Sequence, residues 1–105
     1  MFTYHGTLTH VVDGDTCDID VDLGFKIKLN VRFRLARINT PERGEEGFGE
    51  ATQGLIDVLG LIGPKLVVKC IGKDKYGRWI AEIENDKTNV SDYMLEHGFA
   101  LPYEK

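Results

Sequence analysis

The stretch that decides the fold is "CDIDVDLGFKIKLNVRFRL", residues 17–35, in which apolar and polar side chains alternate with few interruptions. A period of two places successive side chains on opposite faces of a β-strand. The run is broken once, at Asp22-Leu23-Gly24, where a glycine can take the left-handed conformation that a tight turn needs. The stretch therefore predicts a long β-hairpin with one buried face.

The turn also predicts the register of this hairpin. A three-residue loop at 22–24, with Gly24 left-handed, sets apolar residues opposite apolar ones and aspartates opposite lysines. The predicted pairs are Val21 with Phe25, Ile19 with Ile27, Cys17 with Leu29, Asp20 with Lys26, and Asp18 with Lys28. Each pair of opposite charges contributes about 0.2–1 kcal/mol. The aspartates at 18, 20 and 22 thereby gain a structural role, and we do not interpret them as a metal site.

Further strands and helices are predicted on either side of the hairpin. The strands cover 7–12, 66–71 and 78–84, the last with Trp79, Ala81 and Ile83 facing inward. The helices cover 50–62 and 90–97, with Asn89 or Ser91 as the N-cap of the second and Gly98 as its stop. Five short strands in an antiparallel series, with a helix between the third and the fourth, are typical of an OB-type barrel. We expect a fold that is mainly β with α (α+β), a five-stranded OB-fold barrel with two helices, in one domain spanning 1–105.

Composition excludes several classes of protein. With 42% apolar residues, the chain is expected to be globular rather than disordered. No apolar run approaches the roughly 20 residues that span a bilayer. The N-terminus resembles no signal peptide, so a cytoplasmic location is expected for the chain as given, or secretion if a leader was removed. Cys17 and Cys70 make no metal pattern; buried reduced thiols are expected, with a disulfide as the alternative.

Charge is distributed unevenly along the chain. The net charge is −4, which weighs against a protein that coats nucleic acid non-specifically. However, 11 of the 13 basic residues fall in two segments, 26–43 and 65–78. Basic strips within an acidic chain indicate a localised anion site, and an ordinary surface of mixed charge is the alternative.

Three separated segments carry polar residues that strand geometry does not require. They are "DGDT" (13–16), "FRLARINTPE" (33–42) and "DKYGR" (74–78). Each taken alone is consistent with a charged turn. Together, in this order and on this strand pattern, they resemble the staphylococcal nuclease (thermonuclease) family. The resemblance runs from about residue 7 to residue 101.

The resemblance implies a role for each matching position. It implies calcium (Ca²⁺) ligands at Asp15, Asn39 and the backbone carbonyl of Thr40; a water-activating glutamate at Glu42; catalytic arginines at Arg34 and Arg78; and substrate contacts at Lys75, Tyr76 and, with less regular spacing, Tyr103. These residue types suit phosphodiester hydrolysis. A hard cation with oxygen ligands neutralises a phosphate oxygen, arginine forks bind oxygens where charge develops, and a carboxylate can take the proton of the attacking water.

Three features depart from the family pattern. Asn39 stands where the family usually has aspartate, so one negative charge is missing from the expected cation site. The acidic loop 42–50 could supply further cation ligands or slow the approach of a polyanion. The third helix of the family is expected to be absent, as in a minimal version or one whose surface another subunit covers. Arg37 is expected on the surface rather than in the site.

The function implied by the resemblance is that of a calcium-dependent, sugar-non-specific nuclease. It would hydrolyse DNA and RNA, with single strands preferred, and leave 3′-phosphate ends. A monomer is expected, with a dimer as the alternative. The rival interpretation is a catalytically weak or inactive member of the family that binds nucleic acid or protein. A single-strand-binding OB protein is a third interpretation, although the sequence lacks the expected aromatic platform.

Overall fold

Seven strands and two helices follow one another along residues 2–103, the part of the chain that the computed structural model describes. In chain order they are β1 (Phe2–Asp13), β2 (Thr16–Asp22), β3 (Lys28–Leu35), β4 (Ile38–Asn39), α1 (Phe48–Ile62), β5 (Leu66–Lys73), β6 (Trp79–Glu84), α2 (Val90–Glu96) and β7 (Leu101–Pro102). Within this range no helix is long and apolar enough to cross a membrane.

Five of the strands form a closed barrel in the order β1-β2-β3-β6-β5, with β5 returning to β1. The predicted class, a mainly β barrel with two helices, is confirmed. One detail is wrong: β3 and β6 run parallel, with Phe33 opposite Trp79 and Leu35 opposite Ala81. A parallel pair needs a long crossover connection. The segment between β3 and β6, which contains α1 and β5, supplies it.

The core lies between the inner face of the barrel and one face of α1. Fully buried side chains from the strands, such as Ile19 and Ile83, share a cluster with Leu55 and Val58 of the helix. Each fully buried aliphatic side chain stabilises the fold by about 1.5–3 kcal/mol. Trp79 does not join this core, although the sequence predicts it to face inward. It is 41% exposed because β6 begins with it, at the end of the barrel.

The predicted register of the β2–β3 hairpin is wrong by four residues. The structure pairs Cys17 with Phe33, Ile19 with Val31, Val21 with Leu29 and Asp18 with Arg32. The turn does begin with a left-handed Gly24, but Phe25 and Lys26 are left-handed too, and the amide of Leu23 donates to the carbonyl of Ile27. A shift by an even number keeps the side chains that do pair on their predicted faces. Phe25 and Ile27, which were predicted in the strand on its buried face, instead lie in the turn and are 97% and 55% exposed. The longer turn lets β2 pair with the whole of β3.

A second, two-stranded sheet joins β4 to β7 beside α2. Asn89, one of the two predicted caps, begins α2: its side chain accepts a hydrogen bond from the amide of Asp92. Ser91 is buried and donates to the carbonyl of Ala36, which holds α2 against the end of β3. This arrangement fixes the short segment 36–41 that carries part of the site.

The two cysteines are free thiols in different surroundings. Cys17 is fully buried, and Cys70 is partly buried. Burial, together with the nearby charge of Asp18 and then of Asp13, raises the pKa of the Cys17 thiol to about 12.

Candidate active site

The β1–β2 turn is the first of the predicted segments, and it is held tightly. The amide of Asp15 donates to the carboxylate of Asp13 at 3.1 Å, and the carbonyl of Asp15 accepts from the amide of Leu35 at 2.8 Å. A Cβ on Gly14 would lie 2.9 Å from Thr40 Oγ1 and 2.9 Å from Ala51 Cβ. Only glycine fits this close approach, so the turn is fixed against β3, α1 and the segment after β4.

Two carboxyl groups concentrate negative charge at this turn. Asp15 is 9% exposed, and one of its oxygens accepts from the Thr16 hydroxyl at 3.0 Å. Burial raises the pKa of Asp13, and the neighbouring carboxyl of Asp15 adds to the effect. A buried carboxylate is stabilised when a basic side chain lies beside it. For Asp15 that basic side chain is Arg34.

Arg34 is a buried arginine whose position is fixed on several sides. Its side chain is 10% exposed, with Nη2 3.6 Å from Asp15 Oδ2. Nη2 also donates to Asn39 Oδ1 at 3.4 Å, and Nη1 donates to the carbonyl of Leu35 at 3.1 Å. The guanidinium stands 4.9 Å from the centre of the Tyr103 ring. The first and second predicted segments therefore meet at this side chain.

Arg37 shapes the β3–β4 turn that carries Asn39. Its backbone is left-handed, with φ 69°, and its carbonyl accepts from the amide of Tyr103 at 2.9 Å. Its guanidinium binds Glu82 at 2.5 Å and Asp92 at 2.9 Å. The hydrogen bond that Arg37 donates to Glu82 raises the pKa of Arg37 further above its usual range, against the effect of partial burial and with help from Asp92. Arg37 is exposed, as predicted, and it ties β4 to β6 and α2. It was predicted to lie outside the site, but it is also part of the lining of the cleft described below.

The β5–β6 turn, the third segment, is organised by Asp74. This carboxylate accepts from the amides of Tyr76 and Arg78, both at 2.9 Å, and from Nε of Arg78 at 2.6 Å. Partial desolvation works to raise the pKa of Asp74, but the hydrogen bonds from Arg78 and Tyr76 outweigh it, so the pKa is lowered. Lys75 Nζ and the Arg78 guanidinium lie 5.3 and 5.6 Å from the centre of the Tyr76 ring.

The three segments line one cleft of about 1230 Å³. All nine predicted site residues are in its lining: Asp15, Arg34, Asn39, Thr40, Glu42, Lys75, Tyr76, Arg78 and Tyr103. Glu42 is exposed, and its amide donates to the Glu45 carboxylate at 2.6 Å, which folds the acidic loop back on itself. The cleft also contains Asp13 and Lys73, which the sequence did not assign, and Arg37, which was expected outside the site.

The donor atoms on the acidic side of the cleft suit a hard cation. Asp15 offers a carboxylate, Asn39 an amide oxygen and Thr40 a backbone carbonyl, and calcium takes oxygen ligands of these kinds. Among residues 2–103 no three acidic, histidine or cysteine side chains group together as a metal site. A cation held here would therefore depend on neutral oxygens and water as well as on carboxylate.

Comparison with known proteins agrees with this geometry. The sequence model of the family described as "Staphylococcal nuclease homologue" matches residues 32–105. An "Uncharacterized endonuclease" of Escherichia coli O157:H7 is 29% identical over 102 residues, covering 96% of this chain and 62% of the relative. A "Micrococcal nuclease" of Shigella flexneri is 28% identical over 109 residues, covering 95% of this chain and 59% of the relative.

A third relative, "Protein ParB" of Escherichia coli, is 32% identical over 108 residues, covering 93% of this chain and 56% of the relative. The chain thus spans about three fifths of the length of these relatives. The matched family segment contains eight of the nine predicted site residues. The remaining one, Asp15, lies in the β1–β2 turn, where its carbonyl accepts from the amide of Leu35 in the matched segment. The chain belongs to the family of staphylococcal nuclease homologues.

Proposed function

We propose that this chain is a calcium-dependent nuclease that hydrolyses the phosphodiester bonds of DNA and RNA and leaves 3′-phosphate ends. Homology to nucleases of the family supports the general activity. The observation that carries the proposal is the meeting of three distant sequence segments in one cleft, around the buried side chain of Arg34. Both signs of charge are present there, as hydrolysis of an anionic ester requires.

The two arginines bind the phosphate that is cleaved. Arg34 is held by Asp15, Asn39 and the Leu35 carbonyl, so its direction is set before substrate arrives. Arg78 lines the same cleft, held by Asp74, and exchanges part of that contact for a phosphate oxygen. Preorganised donors of this kind stabilise the charge that develops in the transition state, each by a few kcal/mol.

The acidic side of the cleft holds the cation and the base. Asp15, Asn39 and the Thr40 carbonyl are the proposed ligands, with Asp13 as a nearby source of negative charge. When bound, calcium supplies charge neutralisation at a phosphate oxygen and a position for water. Glu42 takes a proton from the attacking water as the oxygen of that water bonds to phosphorus. The bond from phosphorus to the 5′ oxygen breaks, and that oxygen is protonated from solvent.

The remaining wall favours an unpaired strand. Lys75 binds the terminal phosphate beside Tyr76, which is 73% exposed, and Tyr103 is 50% exposed on the other side of Arg34. Exposed rings stack with unpaired bases, whereas the bases of a duplex are already stacked on one another. We therefore expect single-stranded substrates to be preferred, with little dependence on the sugar.

A second candidate function is supported by the charge at position 39. Asn39 leaves one carboxylate among the three proposed ligands, and its oxygen is shared with Arg34. If the cation is not held at millimolar calcium, the cleft remains a basic groove that binds nucleic acid without cleaving it. This is the family's non-catalytic use as a binding module.

Digestion of end-labelled single-stranded DNA and RNA distinguishes the two. We expect cleavage in millimolar calcium, none in chelator, and products that a phosphatase specific for 3′-phosphate ends converts to hydroxyl ends. Arg34→Gln should lower the rate by about 10²–10³. Arg32→Gln is the matched control, because Arg32 lies on the same strand but pairs with Asp18 outside the cleft. Binding without cleavage would establish the second function instead.

A further inference from the structure

Trp79 is the one tryptophan in the chain, and it lies at the end of the barrel, outside the cluster of buried core residues. It is 41% exposed, although its neighbours along the same face of β6, Ala81 and Ile83, are fully buried. Its backbone pairs with Lys73 on one side and Phe33 on the other. A large aromatic ring is thus displayed at the first residue of β6, directly after Arg78.

Lys73 connects this ring to the cleft. Its ammonium group lies 4.3 Å from the centre of the Trp79 ring, and the same residue belongs to the lining of the cleft. The ring is therefore within one side chain of the proposed substrate. The turn that joins Lys73 to Trp79 adds Lys75 and Arg78 to the lining, so this part of the cleft is basic. The acidic residue of the turn, Asp74, is already paired with Arg78.

An indole face with an ammonium group above it matches the two repeating parts of an unpaired nucleic-acid strand. A nucleobase stacks on an aromatic ring whatever its sequence, and a phosphate attracts a lysine. The lysine gains more from a phosphate, which carries a full charge, than from the ring, which offers only a quadrupole. Arrival of a strand should therefore move Lys73 from ring to phosphate and leave the ring for a base.

We propose that Trp79 and Lys73 form an accessory subsite for one nucleotide of a single-stranded nucleic acid, with the base on the ring and the adjoining phosphate on the ammonium group. This inference rests on the proposed function, since the rest of the strand would lie in the cleft. The subsite would bind strands long enough to reach it and slow their release. The chemical step would take place in the cleft alone.

The first test uses the fluorescence of the protein itself. Because Trp79 is the sole tryptophan, selective excitation of tryptophan reports on this position alone. We titrate a short oligothymidylate labelled at one end, in chelator, and follow both tryptophan emission and the anisotropy of the label. The same titration in calcium uses Glu42→Gln, which lacks the proposed base. We expect the oligonucleotide to quench the emission of Trp79 with the same Kd that the anisotropy of the label gives. A duplex should quench this emission less.

Substitutions give the second test, read by anisotropy. Trp79→Ala should raise the Kd of the oligonucleotide about 5- to 100-fold, and Trp79→Phe, which keeps a stacking ring, should raise it much less. Lys73→Gln should reduce the slope of log K against log salt by about 0.7, as for the loss of one phosphate contact. Phe25→Ala is the matched control, since Phe25 is 97% exposed and outside the cleft. Thermal unfolding checks that each variant is folded.

The outcomes separate this inference from the proposed function. An oligonucleotide that binds by anisotropy without changing tryptophan emission, and equally well to folded Trp79→Ala, overturns the subsite and leaves the nuclease proposal intact. Quenching by the oligonucleotide, combined with no hydrolysis by the wild-type protein in calcium, supports the subsite and overturns the nuclease. An oligonucleotide that fails to bind in either condition overturns both.

Discussion

Replacing Asn39 with aspartate tests the electrostatics of the proposed cation site most directly. The change keeps the shape of the side chain and adds one negative charge to a set that now contains the carboxylate of Asp15 and neutral oxygens. One unit charge and a divalent cation about 4 Å apart attract by about 2 kcal/mol in surroundings that resemble water. Such a gain corresponds to a Kd about 30-fold lower.

Arg34 reduces this gain. Its Nη2 lies 3.4 Å from Asn39 Oδ1, so a new carboxylate would be held partly by the guanidinium. We therefore expect Asn39→Asp to tighten calcium binding about 10-fold rather than 30-fold. In an Arg34→Gln background the competing cation is gone, and the same substitution should recover the larger effect.

Isothermal titration with calcium, without substrate, measures these affinities independently of activity. Gln53→Glu is the matched control, because it adds the same charge on the exposed face of α1 and should leave the Kd unchanged. Equal or weaker calcium binding by Asn39→Asp would show that position 39 is not a ligand. If Asn39→Asp raises the calcium affinity no more in the Arg34→Gln background than in the wild type, Arg34 does not compete with calcium for the side chain at position 39.

Substitutions at three further positions test the scaffold. Gly14→Ala should lower the free energy of unfolding by about 1–3 kcal/mol, because its Cβ would lie 2.9 Å from Thr40 Oγ1; chemical denaturation that shows no loss would contradict the close packing. Arg37→Gln should cost about 1 kcal/mol by breaking its exposed ion pairs, while Arg37→Gly should cost less because it relieves the left-handed backbone; the reverse order in thermal melts would argue against strain. The raised pKa of Cys17, about 12 against 9.0, stabilises the fold fully below pH 9 and progressively less above it. Wild type should therefore lose about 1 kcal/mol per pH unit relative to Cys17→Ala between pH 9 and pH 12, and parallel pH profiles would refute this.

Sequence periodicity was a reliable guide to faces and a poor guide to register. The alternation through residues 17–35 places each buried side chain on its correct side, because the side-chain period of a strand is two. A shift of four residues leaves that pattern unchanged, so the pattern could not count the residues in the turn. The left-handed conformations of Phe25 and Lys26, which lengthen the turn, are rare for such residues and carry no sequence signal.

The sequence predicted many of the residues that line the cleft, but not the contacts that hold them in place. The three motifs contain eight of the nine predicted residues that line the cleft, and Tyr103 lies outside them. The network around Arg37 was missed: its partner Glu82 is 45 residues away, and only the folded chain brings them together. Trp79 was misplaced for a related reason, since alternation indicates a face but does not tell where along the strand the barrel ends.

The parallel pairing of β3 with β6 has a consequence for the order in which the protein becomes functional. Phe33 and Trp79 meet only after the intervening chain has been arranged, and contacts between residues so distant in sequence are slow to form. A folding intermediate with only β1, β2 and β3 would present Asp15 and Arg34 without Arg78. We therefore expect the proposed nuclease activity to appear late in refolding, with closure of the barrel.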